Sequence, residues 1–282
     1  MIVEKISIIS NELKEWMQNT LNSGVAPELV VDAMIKKGFD PRFSYTTIFR
    51  MIRNHSVQTT DNCPYVYELP PIARKGSLIH TSDHVPIKVI MSIEKPFILL
   101  LDNLLSEQEC DELIALSKDR LRRSKVIDSE TGKEKTVPGR TSEGTEFMVL
   151  ENRLIARIEK RIAELIDYPV EYSESLQVLH YNHGEEYKPH FDFFQENKVD
   201  ASKGGQRIAT LLIYLNDVEA GGETVFPKLG LSVSPKKGAA IYFHYGNSKG
   251  QTDRLSLHSS TPVVMGDKWV ATKWIRQKKI YE

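Results

Sequence analysis

His190 and Asp192 stand two residues apart in the stretch Tyr181-Asn-His-Gly184-Glu-Glu-Tyr187-Lys-Pro-His190-Phe-Asp192. On an extended strand that spacing turns both side chains to one face. An imidazole and a carboxylate on one face are two ligands of a two-His, one-carboxylate set, which leaves positions open on a non-haem Fe(II). The third ligand must come from elsewhere in the chain. His258, set among the apolar residues of Leu255-Ser-Leu257-His-Ser-Ser-Thr-Pro262, is the best candidate. Ten residues later, Lys268 offers the cation that a dicarboxylate co-substrate would need near the metal. A His-x-Asp pair alone is more often a surface or hydrogen-bonded pair than a metal site. The context carries the weight: the aromatic residues Tyr181, Tyr187, Phe191, Phe193 and Phe194, followed by a run of strand-like segments.

The other histidines fit the site less well. His180 alternates away from Tyr181 on a strand, His183 lies in a turn, and His244 reads as structural. Gly221-Gly222 is too short for a phosphate loop, no Gly-x-Gly-x-x-Gly is present, and no nucleophile elbow supports Ser-His-Asp hydrolysis.

Elements must position these residues. Leu13, Trp16, Met17 and Leu21 follow one helix face, and Gly24 ends it. Pro27 opens a second helix with Leu29, Val30, Ala33 and Met34 as its stripe and Gly38 as its stop. Tyr45, Ile48, Phe49 and Ile52 make a third stripe. Residues 1–54 are therefore a helical segment, too small to stand alone, that must bury its face on the rest of the chain or on a partner. Residues 55–80, polar and broken by Pro64, Pro70 and Pro71, read as a linker, and 81–282 as the main domain. There, strand patterns appear at 87–91 and 97–101. Ser106-Glu-Gln-Glu109 is a capping box opening a helix to about Arg123. Residues 124–147, with three glycines, read as a mobile loop, partly a hairpin. A helix through Leu154, Ile155, Ile158, Ile162 and Leu165 follows, then strands at 176–181, 208–215, 239–243 and 269–276. Many short strands with turns between them mean a sandwich or barrel.

Composition bounds the rest. The chain has 282 residues, 40% hydrophobic and 27% charged, with a formal net charge of -1. Nothing global argues for nucleic acid or an anionic membrane, and the basic runs at 118–125 and 133–135 read as solvated faces. Cys63 and Cys110 are the two cysteines; Cys110 falls in a helix as a small core residue, and reduced thiols fit a cytoplasmic protein. The N-terminus has no signal-peptide pattern, and no apolar run is long enough to span a membrane.

Taken in order, several blocks resemble the prolyl 4-hydroxylase-like branch of the iron(II)/2-oxoglutarate dioxygenases. They are the strand-to-helix block from Phe97 to Ile114, Arg140-Thr-Ser, Leu176 to Phe194, Arg207 to Asn216, Gly221-Gly-Glu-Thr-Val-Phe-Pro227, and His258 to Trp274, covering roughly residues 95 to 278. The resemblance implies a mainly β fold, a double-stranded β-helix (jelly roll) with flanking helices. It implies His190, Asp192 and His258 as Fe(II) ligands, and Lys268 as partner of the distal carboxylate of 2-oxoglutarate, with Tyr181 and Thr210 hydrogen-bonding that co-substrate. It places Tyr187, Trp274 and Arg140 on the substrate side, though core packing or a surface ion pair would equally explain them. The implied reaction consumes dioxygen and 2-oxoglutarate, releases succinate and carbon dioxide, and hydroxylates an unactivated C–H bond, with ascorbate (vitamin C) supporting turnover.

The leading substrate is C4 of a prolyl residue in a peptide or protein; a free amino acid or small metabolite is the alternative. A peptide-binding or sensor protein with a vestigial oxygenase domain is a reading of another class, against which the intact His190, Asp192, His258 and Lys268 argue. A zinc hydrolase would leave Lys268 without a task. The helical segment is expected to bind a partner, dimerise or brace the main domain. Removal of residues 1–60 is expected to spare 2-oxoglutarate decarboxylation while weakening protein-substrate use or self-association.

Overall fold

The computed structural model describes residues 9–55, 64–124, 126–127, 134–135 and 139–280. Residues 1–8, Cys63 and most of the basic tract at 125–138 lie outside the described residues, as does the side chain of Phe49. The body is two antiparallel sheets. The larger has nine strands in the order Leu78–His80, Pro86–Ile93, Phe97–Asp102, Ala240–His244, Arg207–Tyr214, Lys268–Arg276, Leu176–Tyr181, Glu143–Phe147 and Arg122–Arg123. The smaller has four, in the order Leu231–Val233, Thr224–Phe226, His258–Ser260 and Tyr187–His190. Chain-distant neighbours in both sheets make this the double-stranded β-helix that the resemblance implies, within the sandwich or barrel class that the strand pattern indicates.

Period-two alternation divides the large sheet between two cores. Val178, Ala209, Leu211, Ile213, Tyr242 and Ala271 face one way, and Leu179, Tyr181, Tyr214, Ile241, Phe243 and Val270 face the small sheet. On the first side lie the helices Glu107–Lys118 and Arg153–Ile166. The capping box is present, with Ser106 and Glu109 each bonding the other's backbone. That helix stops at Lys118, short of the expected Arg123, because Arg122 and Arg123 pair with Gly144 and Glu143 as an edge strand. In the second helix Leu154, Ile155, Ile158, Ile162 and Leu165 are all buried, as their spacing predicts. Two ionic pins also fasten this layer: Arg161 to Glu109 and Asp83, and the fully buried Lys273 to Glu159.

The stretch expected to be a mobile loop at 124–147 contributes the Glu143–Phe147 strand and a short pairing of Val126–Ile127 with Glu134–Lys135. The expected linker is docked where it is described. Ile72 is buried, Leu78–His80 joins the large sheet, and Val66 and Glu68 bond Asn247, Gln251 and Ser248. No helix among the described residues is long and apolar enough to cross a membrane.

Three helices, Asn11–Asn22, Pro27–Lys36 and Pro41–His55, form a third cluster around Met17, Val30, Val31, Met34, Tyr45 and Ile48. Leu29 was expected in the stripe but is 59% exposed; Val31 takes the inward place instead. The cluster closes on Val225 of the small sheet and on Leu257, just before the His258–Ser260 strand, so the helices cover the outer side of that sheet.

Ile158, with no exposed surface, joins the helical layer to the large sheet. Ile158→Ala is expected to lower unfolding free energy by about 2–4 kcal/mol, as deletion of buried aliphatic volume does. Denaturant titration of the full chain measures it.

Candidate active site

The small sheet brings the two histidines together. His190 is paired directly with His258 across two antiparallel strands, and the register slips between that pair and Ser260–Tyr187. Such a slip re-aims side chains. Here Tyr187 and His190, three residues apart, stack on each other with ring centroids 3.5 Å apart and both line the cavity. Asp192 does not share their strand as its spacing suggested. The strand ends at His190, and Asp192 reaches the site from the bend that follows. The three still converge: one ligand atom from each of His190, Asp192 and His258 lies within 4.8 Å of the others.

Hydrogen bonds set the chemistry of these atoms. His190 Nδ1 donates to the Lys188 carbonyl at 2.8 Å, and His258 Nδ1 to the Ser256 carbonyl at 3.0 Å. A carbonyl only accepts, so each ring carries a proton on Nδ1 and turns its Nε2 toward the site. Each Nε2 lies 3.6 Å from the Asp192 carboxylate. Burial, then the neighbouring His258, pushes His190 down to about 3, so its ring is neutral near pH 7. Burial would raise Asp192, but His258, His190, Arg207 and the Thr210 hydroxyl outweigh it and hold the carboxyl at about 2. Two imidazole nitrogens and one ionised carboxylate, converging within 4.8 Å of one another, fit a divalent iron.

Lys268 is 1% exposed and donates to Ser260 Oγ at 2.7 Å, with its ammonium 5.3 Å from the Tyr181 ring centroid. No acidic side chain forms an ion pair with it among the described residues. Burial lowers it to about 7, with Glu223 pulling weakly the other way. A buried ammonium without a carboxylate partner fits the distal carboxylate of 2-oxoglutarate. Gly222, at φ +69°, leaves room for the lysine stem, since a Cβ there would meet Lys268 Cδ at 3.2 Å.

The other expected residues line the same cavity of about 630 Å³. Tyr181 pairs with Lys268 across neighbouring strands and bonds the Ser142 side chain. Thr210 has a different partner from the co-substrate contact expected: its hydroxyl donates to Asp192 Oδ2 at 2.7 Å and meets the Tyr245 hydroxyl at 3.0 Å. Arg140 is 6% exposed rather than a surface residue, donates to Gln177 Oε1 at 2.9 Å, and sits 5.0 Å from the Tyr187 ring. Trp274 faces the cavity with the Arg207 guanidinium 3.9 Å from its ring. His180 points elsewhere, stacked on Trp269 and bonded to Asp267. His244 is buried against Tyr242, and burial lowers it to about 4. Cys110 is a buried free thiol in the helical layer.

Sequence reasoning missed Arg207, which ion-pairs Glu174 and donates to the Asp192 carbonyl. It also missed Val270, Thr272, Gln177 and Leu179 as cavity wall. Counting by twos from Lys268 and back from Tyr181 would have found the last four.

A candidate metal triad of this donor set, with a buried lysine in the same cavity of a double-stranded β-helix, fits a non-haem Fe(II) oxygenase using a dicarboxylate co-substrate. The comparisons agree. Residues 176–276 match the family model of the 2OG-Fe(II) oxygenase superfamily. Probable prolyl 4-hydroxylase 3 of Arabidopsis thaliana is 42% identical over 200 residues, covering 64% of this chain and 69% of that protein. Prolyl 4-hydroxylase 2 of the same plant is 39% identical over 211 residues, covering 67% and 70%. The solved 2-oxoglutarate complex of viral collagen prolyl hydroxylase from Paramecium Bursaria Chlorella virus-1 aligns with a TM-score of 0.53 at 31% identity, over 64% of this chain and 96% of that one. The chain belongs to the prolyl 4-hydroxylase-like 2OG-Fe(II) oxygenases. It is a 2-oxoglutarate-dependent dioxygenase whose cofactor is Fe(II) and whose co-substrates are 2-oxoglutarate and dioxygen.

Lys268 makes co-substrate binding depend on pH. Above about 7 the free lysine is neutral, and pairing with a carboxylate then requires uptake of a proton. Apparent 2-oxoglutarate affinity should fall from pH 6.5 to pH 8.5, by up to about tenfold per unit. Calorimetric titration at each pH reads it, and Lys268→Ala should abolish the slope and weaken binding by more than about tenfold.

Proposed function

We propose that this dioxygenase hydroxylates C4 of prolyl residues in a peptide or protein. The observation that carries the reading is the aromatic wall: Tyr187 stacked on His190, and Trp274 on the strand that begins with Lys268, both facing the cavity. Flat aromatic faces hold a pyrrolidine ring at low entropic cost. The cavity volume of about 630 Å³ is in the range of sites that enclose drug-sized ligands, which leaves room for a peptide segment beside the co-substrate. The names of the A. thaliana and viral relatives support the same substrate class.

In this reading His190, Asp192 and His258 hold the iron. Once bound, iron and 2-oxoglutarate together supply the oxidising power that puts one oxygen atom of O2 into the C–H bond, while 2-oxoglutarate becomes succinate and carbon dioxide. The rest falls to side chains. Lys268 and Ser260 receive the distal carboxylate, and Tyr181 closes the wall beside them. Thr210 holds one oxygen of Asp192, which leaves the carboxylate a fixed direction. Arg207 pins the Asp192 backbone and stiffens Trp274, while Arg140 supports Tyr187. Ascorbate as a supporting reductant and a cytoplasmic setting, in keeping with the free Cys110, complete the proposal.

The test is mass spectrometry of proline-rich peptides and of free proline after incubation with iron, 2-oxoglutarate and oxygen. A gain of one oxygen on peptidyl proline is expected; oxidation of free proline alone would sink the peptide reading. His190→Ala, Asp192→Ala and His258→Ala should each abolish hydroxylation, since three ligands leave little redundancy. Succinate release coupled to peptide oxidation reports it.

A further inference from the structure

The strand that carries His190 is held from behind by the N-terminal helices. Tyr45, 1% exposed in the third helix, donates its hydroxyl to Glu186 Oε2 at 2.9 Å. Asp32, in the second helix, pairs with Lys188 Nζ at 2.6 Å. Glu186 and Lys188 immediately precede and occupy the strand Tyr187–His190, and the Lys188 carbonyl is the one that fixes the His190 tautomer. The same helical cluster packs on Leu257, the residue before His258, and on Val225 of the adjoining strand. The opposite edge of the His190 strand is tied to Gly139, Arg140 and Thr141, with Thr141 Oγ1 accepting from the Glu186 N–H at 2.8 Å. Two of the three metal ligands thus sit on backbone whose outer side is covered by residues 11–55.

We propose that the helical segment is a clamp on the metal centre, in which Tyr45 and Asp32 are positioning residues that act through Glu186 and Lys188 to set the strand presenting His190. The inference rests on the assignment of His190, Asp192 and His258 to iron. It departs from the expectation that residues 1–60 are dispensable for 2-oxoglutarate decarboxylation. A ligand atom displaced by a fraction of an ångström weakens a metal bond far more than it weakens a protein core, because coordination is directional and packing is not. The clamp therefore predicts a loss concentrated in metal affinity rather than in stability.

The experiment uses the full chain, stripped of metal, and Fe(II) alone under anaerobic equilibrium dialysis. Tyr45→Phe removes one hydroxyl and Asp32→Asn one charge. Together they should raise the Fe(II) dissociation constant roughly tenfold, the lower end of what loss of an outer partner does. Asp32→Glu, which keeps the charge, should restore most of it. Ile158→Ala is the control, since it loosens the core on the far side of the large sheet and should leave Fe(II) affinity within about twofold at a temperature where it is folded. Wild-type affinity in the double variant, or an equal loss in Ile158→Ala, overturns the clamp. Wild-type affinity in His190→Ala would overturn the metal assignment itself, and the clamp with it.

Discussion

His190 faces His258 across one antiparallel strand pair, and the rest of the molecule is arranged around that register. Ladder hydrogen bonds fix the separation of paired backbones, so two imidazoles from opposite ends of the catalytic region meet at a distance that no loop could hold as well. One residue of slippage would turn one of them toward the helices. The small sheet has four strands of only three or four residues each. It is stabilised from both sides, by the inter-sheet core around Phe226, Phe243 and Tyr245, and by the helical cluster behind Val225.

Electrostatics divides the site into a neutral part and a charged part. The imidazoles face a carboxylate that is already ionised, so metal can bind there without first displacing a proton from Asp192 near neutral pH. The charge of Lys268 is only half supported, because burial disfavours it and its hydrogen-bond partner among the described residues is the Ser260 hydroxyl. Arg207 differs again: Glu174 compensates its burial and keeps it charged, so it serves as scaffold rather than as a free cation. Two cations on neighbouring strands thus have opposite character, one completed by the fold and one left for a ligand to complete.

Much of this was legible in the sequence because β-structure has a short period. The strands at 176–181 and 268–276 fall nearly where alternation places them, and the helix from Leu154 to Leu165 shows its buried stripe directly. The ligand set was legible from residue type and order. What stayed hidden has no local signature. Tyr45 and Glu186 are 141 residues apart, and Lys188 and Asp32 are 156 apart. Nothing in either neighbourhood marks them as partners, so the sequence left open whether the helical segment braces the main domain or binds a partner. Thr210 lies on the cavity face as alternation requires, but only the path of the chain after His190 shows that its hydroxyl meets Asp192. That path was itself misjudged: a two-residue spacing implies a shared strand face only while the strand lasts, and this one ends at His190.

Depth within the cavity has a temporal consequence. Lys268 is 1% exposed, the side chains of Asp192 and His258 are 7% and 6% exposed, and that of His190 is 18% exposed. The lysine proposed to receive the small dicarboxylate is thus the most deeply buried of these residues, and the three candidate metal ligands are somewhat more exposed. A bulky chain seated first against the aromatic wall would cover the lysine, the more deeply buried residue. On the roles proposed for these residues, such depth favours loading the small molecule before the large one and releasing them in the reverse order.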